Sequence, residues 1–294
     1  MKTSTISGVC LGTLLAFALQ ERTTEKPPAR IDLSHLTLPY GEISAQHLSG
    51  HQPAVIVFLD SHIKMDDGDG HPVMREAGIR LHQRHYANFM YLYQRGIDTL
   101  VLENFAVEQD PRDVLDSARR DYPKQGYSIP ATVQEALGKS PFDFCELLYY
   151  YETPVHFLGA ERFADFPRMG EITDAYYALA DVSDSLASTQ YTNEELKQLE
   201  TAVSSHCADE RWLLDGRSAI MAQNAVAHAT AAGKPVVLTI GSAHEESLEK
   251  AFQDIGNDYV MVNALEKDDN ASENIYDSCM EILADVRSKR KNSQ

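Results

Sequence analysis

The sequence has few basic residues. It contains 26 Lys and Arg against 44 Asp and Glu, for a formal net charge of −18 at pH 7. Nucleic acids and anionic lipid surfaces are bound through clustered Lys and Arg, so this balance argues against both as partners. The one basic cluster, Arg287 to Lys291, follows a helical pattern near the C-terminus. We expect a solvated tail or a favourable interaction with the helix dipole there.

Several motifs of well-known enzyme classes are missing. The sequence has no Gly-rich phosphate loop, no Gly-x-Ser-x-Gly nucleophile turn and no His-Glu-x-x-His helix. It also has no internal repeat and no low-complexity tract. Cysteine is scarce, and Cys145, Cys207 and Cys279 show neither C-x-x-C spacing nor the pattern of a disulfide framework. We therefore expect each of the three to be a small buried apolar residue.

The N-terminus has the pattern of a secretory signal peptide. Lys2 precedes an uncharged, mostly apolar run from Ile6 to Leu19, in which Ala16 and Ala18 provide small residues before a cleavage site. The run is shorter than the about 20 apolar residues of a transmembrane helix. We predict a signal peptide at residues 1–19, a linker and lead-in at 20–50, and export to the periplasm or the cell exterior without stable membrane insertion. The alternative is an uncleaved anchor or a buried first helix.

The rest of the chain has the composition of a globular protein with a sizeable core, since 43% of its residues are hydrophobic and 24% charged. Short β-branched runs alternate with longer amphipathic stretches, which predicts a sheet with crossover helices. The predicted strands are Ala54 to Leu59, Thr99 to Glu103, Pro154 to Gly159, Pro235 to Ile240 and Tyr259 to Asn263. They are nearly continuous apolar runs, as expected when both sheet faces are covered.

Helical patterns fill the intervals between these strands. We predict a helix from Met74 to Arg95, an insertion or lid from Asp110 to Ser140, and a long helical region from Met169 to Ala232. Thr192 and Glu195 have the spacing of a capping box inside that region. The fold class that follows is a single α/β domain over residues 51–294, with a central mixed or mostly parallel sheet, crossover helices and a helical insertion.

Polar side chains follow the predicted strands at their carboxyl ends, where ligands gather in open α/β sheets. Two imidazoles and several carboxylates at one edge suit general acid–base chemistry or a metal site. We predict His62, Glu103 and His244 as catalytic residues and metal ligands, and Asp60 and Glu161 as substrate-binding residues. Taken singly, His62 could be an ordinary loop histidine, and the turn before His244 could simply cap the next helix.

A second group of candidates lies on the helix before the fourth strand. Arg217, Met221 and Asn224 share one helical face. Arg217 could clamp a carboxylate or stabilise an anionic intermediate, and Asn224 could position the substrate. The alternative for Arg217 is an exposed ion pair with Asp215 or Glu210.

His82 and His85 lie three residues apart in the first long helix. This spacing can bind a metal ion, but the two residues stand among Arg80, Arg84 and several tyrosines. The sequence therefore favours a polar helix face for both histidines, since a metal site normally adds a carboxylate or a third imidazole.

Together these elements resemble the TraB, TIKI, erythromycin-esterase and ChaN-like superfamily. The resemblance spans Ala54 to Asn263 and is carried by Asp60-Ser61-His62, Leu102-Glu103-Asn104, Arg217 with Met221 and Asn224, and Gly241-Ser242-Ala243-His244. It implies a hydrolase-like pocket, because TIKI-type members look like metal-dependent peptidases and erythromycin esterases use a His/Glu site to activate water. Many relatives have glycine at the start of the first histidine motif, so Asp60 either adds a ligand or marks an altered site.

We therefore expect an exported hydrolase of amide or ester bonds that acts on a small-molecule or peptide substrate, with Mn, Co or Zn as its divalent metal. His62 or His244 would be the base or a ligand, Glu103 its partner or the base, and Arg217 the stabiliser of developing negative charge. The alternative is a haem- or iron-binding protein, since ChaN-like relatives are associated with haem. Its pocket would be lined by Tyr149 to Tyr151 and His156.

Overall fold

The structure is a computed structural model that describes residues 32–50, 53–60, 64–66, 72–74, 76–125, 128–139, 142–186, 189–265 and 275–292. Its strands are β1 Glu42–His47, β2 Val55–Asp60, β3 Lys64–Asp66, β4 Pro72–Met74, β5 Thr99–Ala106, β6 His156–Glu161, β7 Val236–Gly241 and β8 Tyr259–Asn263. Two sequence predictions, the signal peptide at 1–19 and the site residue His62, lie outside the described residues.

Nine α-helices lie in the described part of the chain. They are α1 Glu76–Tyr93, α2 Pro111–Asp121, α3 Val133–Lys139, α4 Phe144–Tyr150, α5 Phe166–Leu186, α6 Asn193–Arg211, α7 Arg217–Ala232, α8 Glu245–Ile255 and α9 Ile275–Asn292. A five-residue π-helix, Trp212–Gly216, joins α6 to α7. None of the helices in the described part of the chain is long and apolar enough to cross a membrane.

Six strands form one mixed sheet in the order β1-β8-β2-β7-β5-β6. The five strands from β8 to β6 run parallel, and β1 pairs with β8 in the antiparallel direction. The predicted fold class, a single α/β domain with a mostly parallel sheet, is confirmed. Strand β1 lies inside the predicted lead-in and was missed, because most of its side chains are exposed and it lacks an apolar run.

Both faces of the sheet are covered, which explains the continuous apolar strands. Alternate residues of a strand point to opposite faces. Val55, Val57 and Leu59 of β2 pack in a core with α7 and α8, whereas Ile56 and Phe58 pack in a second core with α1 and α4. The predicted crossover arrangement therefore places helices on the two sides of the strand ends that carry the candidate site.

A third apolar cluster joins α5, α6 and α9 away from the sheet. Helix α6 begins with the predicted capping box, in which the Thr192 hydroxyl accepts from the Glu195 backbone N–H. The cluster also contains a disulfide between Cys207 of α6 and Cys279 of α9, with 5.7 Å between their Cα atoms. The expectation that these cysteines are separate apolar residues was wrong. They are 72 residues apart, and their pairing depends on helix docking that the sequence spacing does not encode.

Candidate functional site

The end of β5 is irregular where the site begins. Leu102 pairs with Gly159 of β6, but the next pair is Ala106 with Glu161, so three residues of β5 lie opposite a single residue of β6. Asn104, inside this bulge, has a left-handed φ of 65°. A Cβ on Gly159 would lie 2.1 Å from the Ala106 carbonyl oxygen, so glycine is needed for the close approach. Bulges of this kind redirect side chains beside functional sites.

Arg217 joins the carboxylates of two neighbouring strands. Its Nη2 donates to Glu103 Oε1 at 3.0 Å and to Glu161 Oε1 at 2.7 Å, and its Nε donates to Glu161 Oε2 at 3.1 Å. All three side chains are buried. The alternative of an exposed ion pair with Asp215 or Glu210 was wrong, because Asp215 pairs with Arg211 and Glu210 with His206.

The charges of this buried cluster are nearly balanced. Burial lowers the pKa of Arg217, but the hydrogen bond to Glu161 and the negative charges of Glu103 and Glu161 raise that pKa more, so the net shift is upward. Arg217 is therefore a permanent cation here. Two carboxylates against one guanidinium leave a formal charge of −1, which favours a further cation or a proton nearby.

His244 extends the cluster towards β7. Its Nε2 lies 3.5 Å from Glu103 Oε1, and its Nδ1 lies 2.9 Å from the hydroxyl of Ser218, which is fully buried. The backbone N–H of Gly241 donates to the other oxygen of Glu103 at 2.7 Å. Ser218 was not predicted from the sequence, because a serine beside Arg217 in a helix gives no sign of a partner 26 residues further along the chain.

A cavity of about 380 Å³ opens at this edge of the sheet. Its described lining includes the carboxylates of Asp60, Glu103, Asp143 and Glu146, together with His82 and Cys145. Of the predicted site residues that the structure describes, Glu103 and Asp60 line this cavity. His244 contacts Glu103 without being part of the described lining.

The other predicted residues lie further from the cavity. Both oxygens of Glu161 accept hydrogen bonds, from Arg217 and from the Asn104 backbone. Asn224 donates to the Ala160 carbonyl at 2.8 Å and so ties α7 to β6. These contacts hold the strand ends in place, and the substrate-binding roles of Glu161 and Asn224 stay predictions.

His82 and His85 are buried, with exposed fractions of 6% and 0%, so the predicted polar helix face was wrong. The ring of His85 stacks on Phe58 at 5.2 Å between centroids, and its Nε2 lies 3.2 Å from the Leu59 carbonyl. The apolar cover comes from β2 and α4, which pack against α1 only in the fold. The neighbouring arginines therefore gave a misleading signal of exposure.

Acidification is expected to destabilise the protein through His85. Burial lowers the pKa of His85 to about 4 from an ordinary value of 6.5, while the charge of Asp60 opposes this shift. Between these two pH values the unfolded chain binds a proton that the folded protein does not. The stability present above pH 6.5 is therefore lost as the pH falls, at about 1.4 kcal/mol per pH unit. Urea unfolding at pH 7 and pH 5 measures the loss.

The substitution His85→Gln should reduce this pH dependence, because glutamine does not titrate and can still donate to the Leu59 carbonyl. His156→Gln is the matched control, since His156 is exposed on β6. An unchanged slope in His85→Gln, or an equal change in both variants, would contradict the assignment.

One group of side chains among the described residues could hold a metal ion: His206, Glu210 and Cys279. Their ligand atoms lie within 4.8 Å of one another, and all three residues are buried. The group lies between α6 and α9 rather than at the end of the sheet. The ligand set predicted from the sequence includes His62, which lies outside the described residues, so this part of the prediction stays a prediction.

The residues of the haem alternative do not join the Glu103 cluster. His156 begins β6, whereas Glu161 ends it, so the two lie at opposite ends of one strand. Tyr150 is buried against Tyr122 and Phe142 in a separate apolar cluster. The described contacts therefore give no support to a haem pocket at His156.

Comparisons with known proteins found no matching family model, no matching curated protein and no matching solved structure.

Proposed function

We propose that this protein is an exported hydrolase of amide or ester bonds that uses Glu103 and His244 and takes a divalent metal ion as its cofactor. The proposal keeps the resemblance to the TraB, TIKI, erythromycin-esterase and ChaN-like superfamily as its guide to chemistry. The observation that carries it is one contact: Glu103 lines the cavity and lies 3.5 Å from His244 Nε2.

The spacing of these two groups suits metal ligation. Two ligand atoms about 2.1 Å from one tetrahedral ion lie about 3.4 Å apart, close to the separation of Glu103 Oε1 and His244 Nε2. The formal charge of −1 on the cluster of Arg217, Glu103 and Glu161 also attracts a cation. We propose His62, Glu103 and His244 as the ligands. When bound, the ion would make a water molecule more acidic and therefore easier to deprotonate.

Each residue then has a distinct role in hydrolysis. Glu103 faces the cavity and accepts a proton from the attacking water. Arg217 and the Gly241 N–H fix both of its oxygens. His244 is held by Ser218 with Nε2 towards Glu103, which keeps it beside the carboxylate as a metal ligand. Arg217 is a positioning residue in this scheme, because its described donors are already directed at protein oxygens.

The disulfide supports the proposed export. Disulfides persist in oxidising compartments outside the cytosol and are rare in reducing ones. The crosslink between Cys207 and Cys279 fits a protein that reaches the periplasm or the exterior through the signal peptide at residues 1–19.

Metal analysis of the purified protein under non-reducing conditions tests the proposal. We expect about one equivalent of divalent metal in the wild type and much less in the His62→Ala/His244→Ala double variant. The wild type, supplied with Mn²⁺, Co²⁺ or Zn²⁺, should also hydrolyse members of a panel of nitrophenyl esters and aminoacyl nitroanilides.

His156→Ala/His228→Ala is a matched control, because it removes two histidines outside the cluster. Equal metal content in the two double variants would contradict the proposed ligands. A wild type that hydrolyses nothing in the panel with any of the three metals would contradict the hydrolase proposal.

A further inference from the structure

We propose that His206, Glu210 and Cys279 form a second, redox-controlled metal site, which binds a zinc-type divalent ion when the Cys207–Cys279 disulfide is reduced. The site lies between α6 and α9 and shares no residue with the Glu103 cluster. It does not depend on the proposed hydrolase activity.

Two of the three proposed ligands, His206 and Glu210, lie on α6. His206 and Glu210 are four residues apart, so they share one face of the helix. His206 Nε2 lies 2.7 Å from Glu210 Oε1, and the exposed fractions of the two side chains are 7% and 1%. Cys279 of α9 brings its sulfur within 4.8 Å of one ring nitrogen of His206 and one carboxylate oxygen of Glu210. An imidazole, a carboxylate and a thiolate are the three ligand types that zinc prefers in proteins.

Glu210 supplies the independent sign of a ligand. Its Oε2 is buried and has no hydrogen-bond partner among the described residues. A buried polar atom left without a partner destabilises the fold, and native proteins satisfy nearly all such atoms. A cation between His206, Glu210 and Cys279 would satisfy this oxygen.

The required rearrangement is small. Ligand atoms around one tetrahedral zinc ion lie about 3.3 to 3.6 Å apart. The His206–Glu210 contact must therefore open by under about 1 Å, and Cys279 must approach by at most about 1.5 Å. Rotations of the three side chains are sufficient, because α6 and α9 are already joined at this level by the disulfide.

The same sulfur atom serves the disulfide and the metal site, so the two states exclude each other. Two molecules of a small thiol reduce the Cys207–Cys279 bond, are themselves oxidised to a disulfide, and leave two protein thiols. The Cys279 thiol then loses its proton as its sulfur binds the ion. In the reverse exchange a small-molecule disulfide oxidises the two cysteines, is itself reduced to two thiols, and the ion is released. The protein thus has a disulfide under oxidising conditions and a metal crosslink under reducing ones.

Two single substitutions separate this proposal from a purely structural disulfide. Cys207→Ser and Cys279→Ser break the same crosslink, but only Cys207→Ser keeps all three ligands. We expect Cys207→Ser to bind one Co²⁺ with a sulfur-to-cobalt charge-transfer band, and Zn²⁺ to displace the cobalt. Cys279→Ser should lack the band and bind Co²⁺ at least about tenfold more weakly.

The wild type provides a measurement that needs no variant. Protein reduced by a phosphine should gain the cobalt band, which oxidised protein should lack, and its melting temperature should rise more with Zn²⁺ than that of oxidised protein. The Glu103 cluster is intact in every sample, so metal bound there contributes equally and cancels in the comparison. Equal cobalt binding by the two serine variants, or no band in the reduced wild type, would overturn the proposal.

Discussion

Replacing Arg217 with methionine is expected to lower the free energy of unfolding by about 3 to 5 kcal/mol, because the change leaves two carboxylates buried without their cation. Glu103 and Glu161 each have an exposed fraction of 8% or less, so water cannot take the place of the guanidinium. Methionine keeps much of the apolar stem of arginine and fills most of its volume. The loss therefore measures the missing charge more than a cavity. Urea unfolding at neutral pH provides the measurement.

Arg211→Met is the matched control for this experiment. Arg211 also pairs with a carboxylate, with its Nε 3.0 Å from Asp215, but the two side chains are 64% and 52% exposed. Exposed pairs contribute at most about 1 kcal/mol. Adding Glu161→Gln to Arg217→Met should restore part of the lost stability, since one of the two unpaired charges is removed. Similar losses in Arg217→Met and Arg211→Met would show that burial does not determine the strength of this ion cluster.

The fold was predictable because its strongest signal is local. A parallel sheet covered on both faces needs strands that are apolar at consecutive positions, and β2, β7 and β8 have this property over most of their length. Because ligands gather at the carboxyl ends of such strands, the sequence also indicated Glu103, Glu161 and His244 as site residues. The same local reasoning missed β1, whose side chains are mostly exposed and whose pairing with β8 depends on the rest of the sheet.

The partners of the site residues could not be predicted, because they come together only in the folded protein. Arg217 contacts the carboxylate of Glu103, which is 114 residues away in the sequence. The sequence around either residue does not indicate this contact. The sequence is equally compatible with an ion pair between Arg217 and the nearer Asp215, but in the structure Asp215 pairs with Arg211. Ser218 is a clearer case, since a serine in a helix has no local feature that indicates a buried contact with His244.

The burial of His82 and His85 has the same cause. Their neighbours in α1 are polar, so the sequence indicated an exposed face, but β2 and α4 pack over these rings. The disulfide adds a third example, because helix docking brings Cys207 and Cys279 together. In each case the sequence shows the type of the residue, but its environment depends on helices and strands that come together only in the fold.

Replacing Glu103 with glutamine is expected to lower hydrolytic activity by about 10²- to 10⁴-fold, the usual contribution of a general base. Glutamine has nearly the same shape as glutamate, and its amide oxygen can still accept a hydrogen bond from Gly241 N–H or Arg217. It cannot take up a proton from water at neutral pH, and it is a weaker metal ligand than a carboxylate. The rate on the best substrate of the ester and anilide panel, with the metal ion in excess, measures the effect.

Glu161→Gln is the control that distinguishes loss of the general base from loss of one negative charge in the cluster. Both substitutions remove one of the two carboxylates that neutralise Arg217, so both change the formal charge of the cluster by the same amount. Glu103, however, lines the cavity and contacts His244, whereas the described side-chain contacts of Glu161 are with Arg217 and the Asn104 backbone, and Glu161 is not part of the described lining. If Glu103 is the base, Glu161→Gln should keep most of the activity that Glu103→Gln loses. Equal losses would mean that activity depends on the net negative charge of the cluster, and Glu103 would then be a positioning residue rather than a catalytic one.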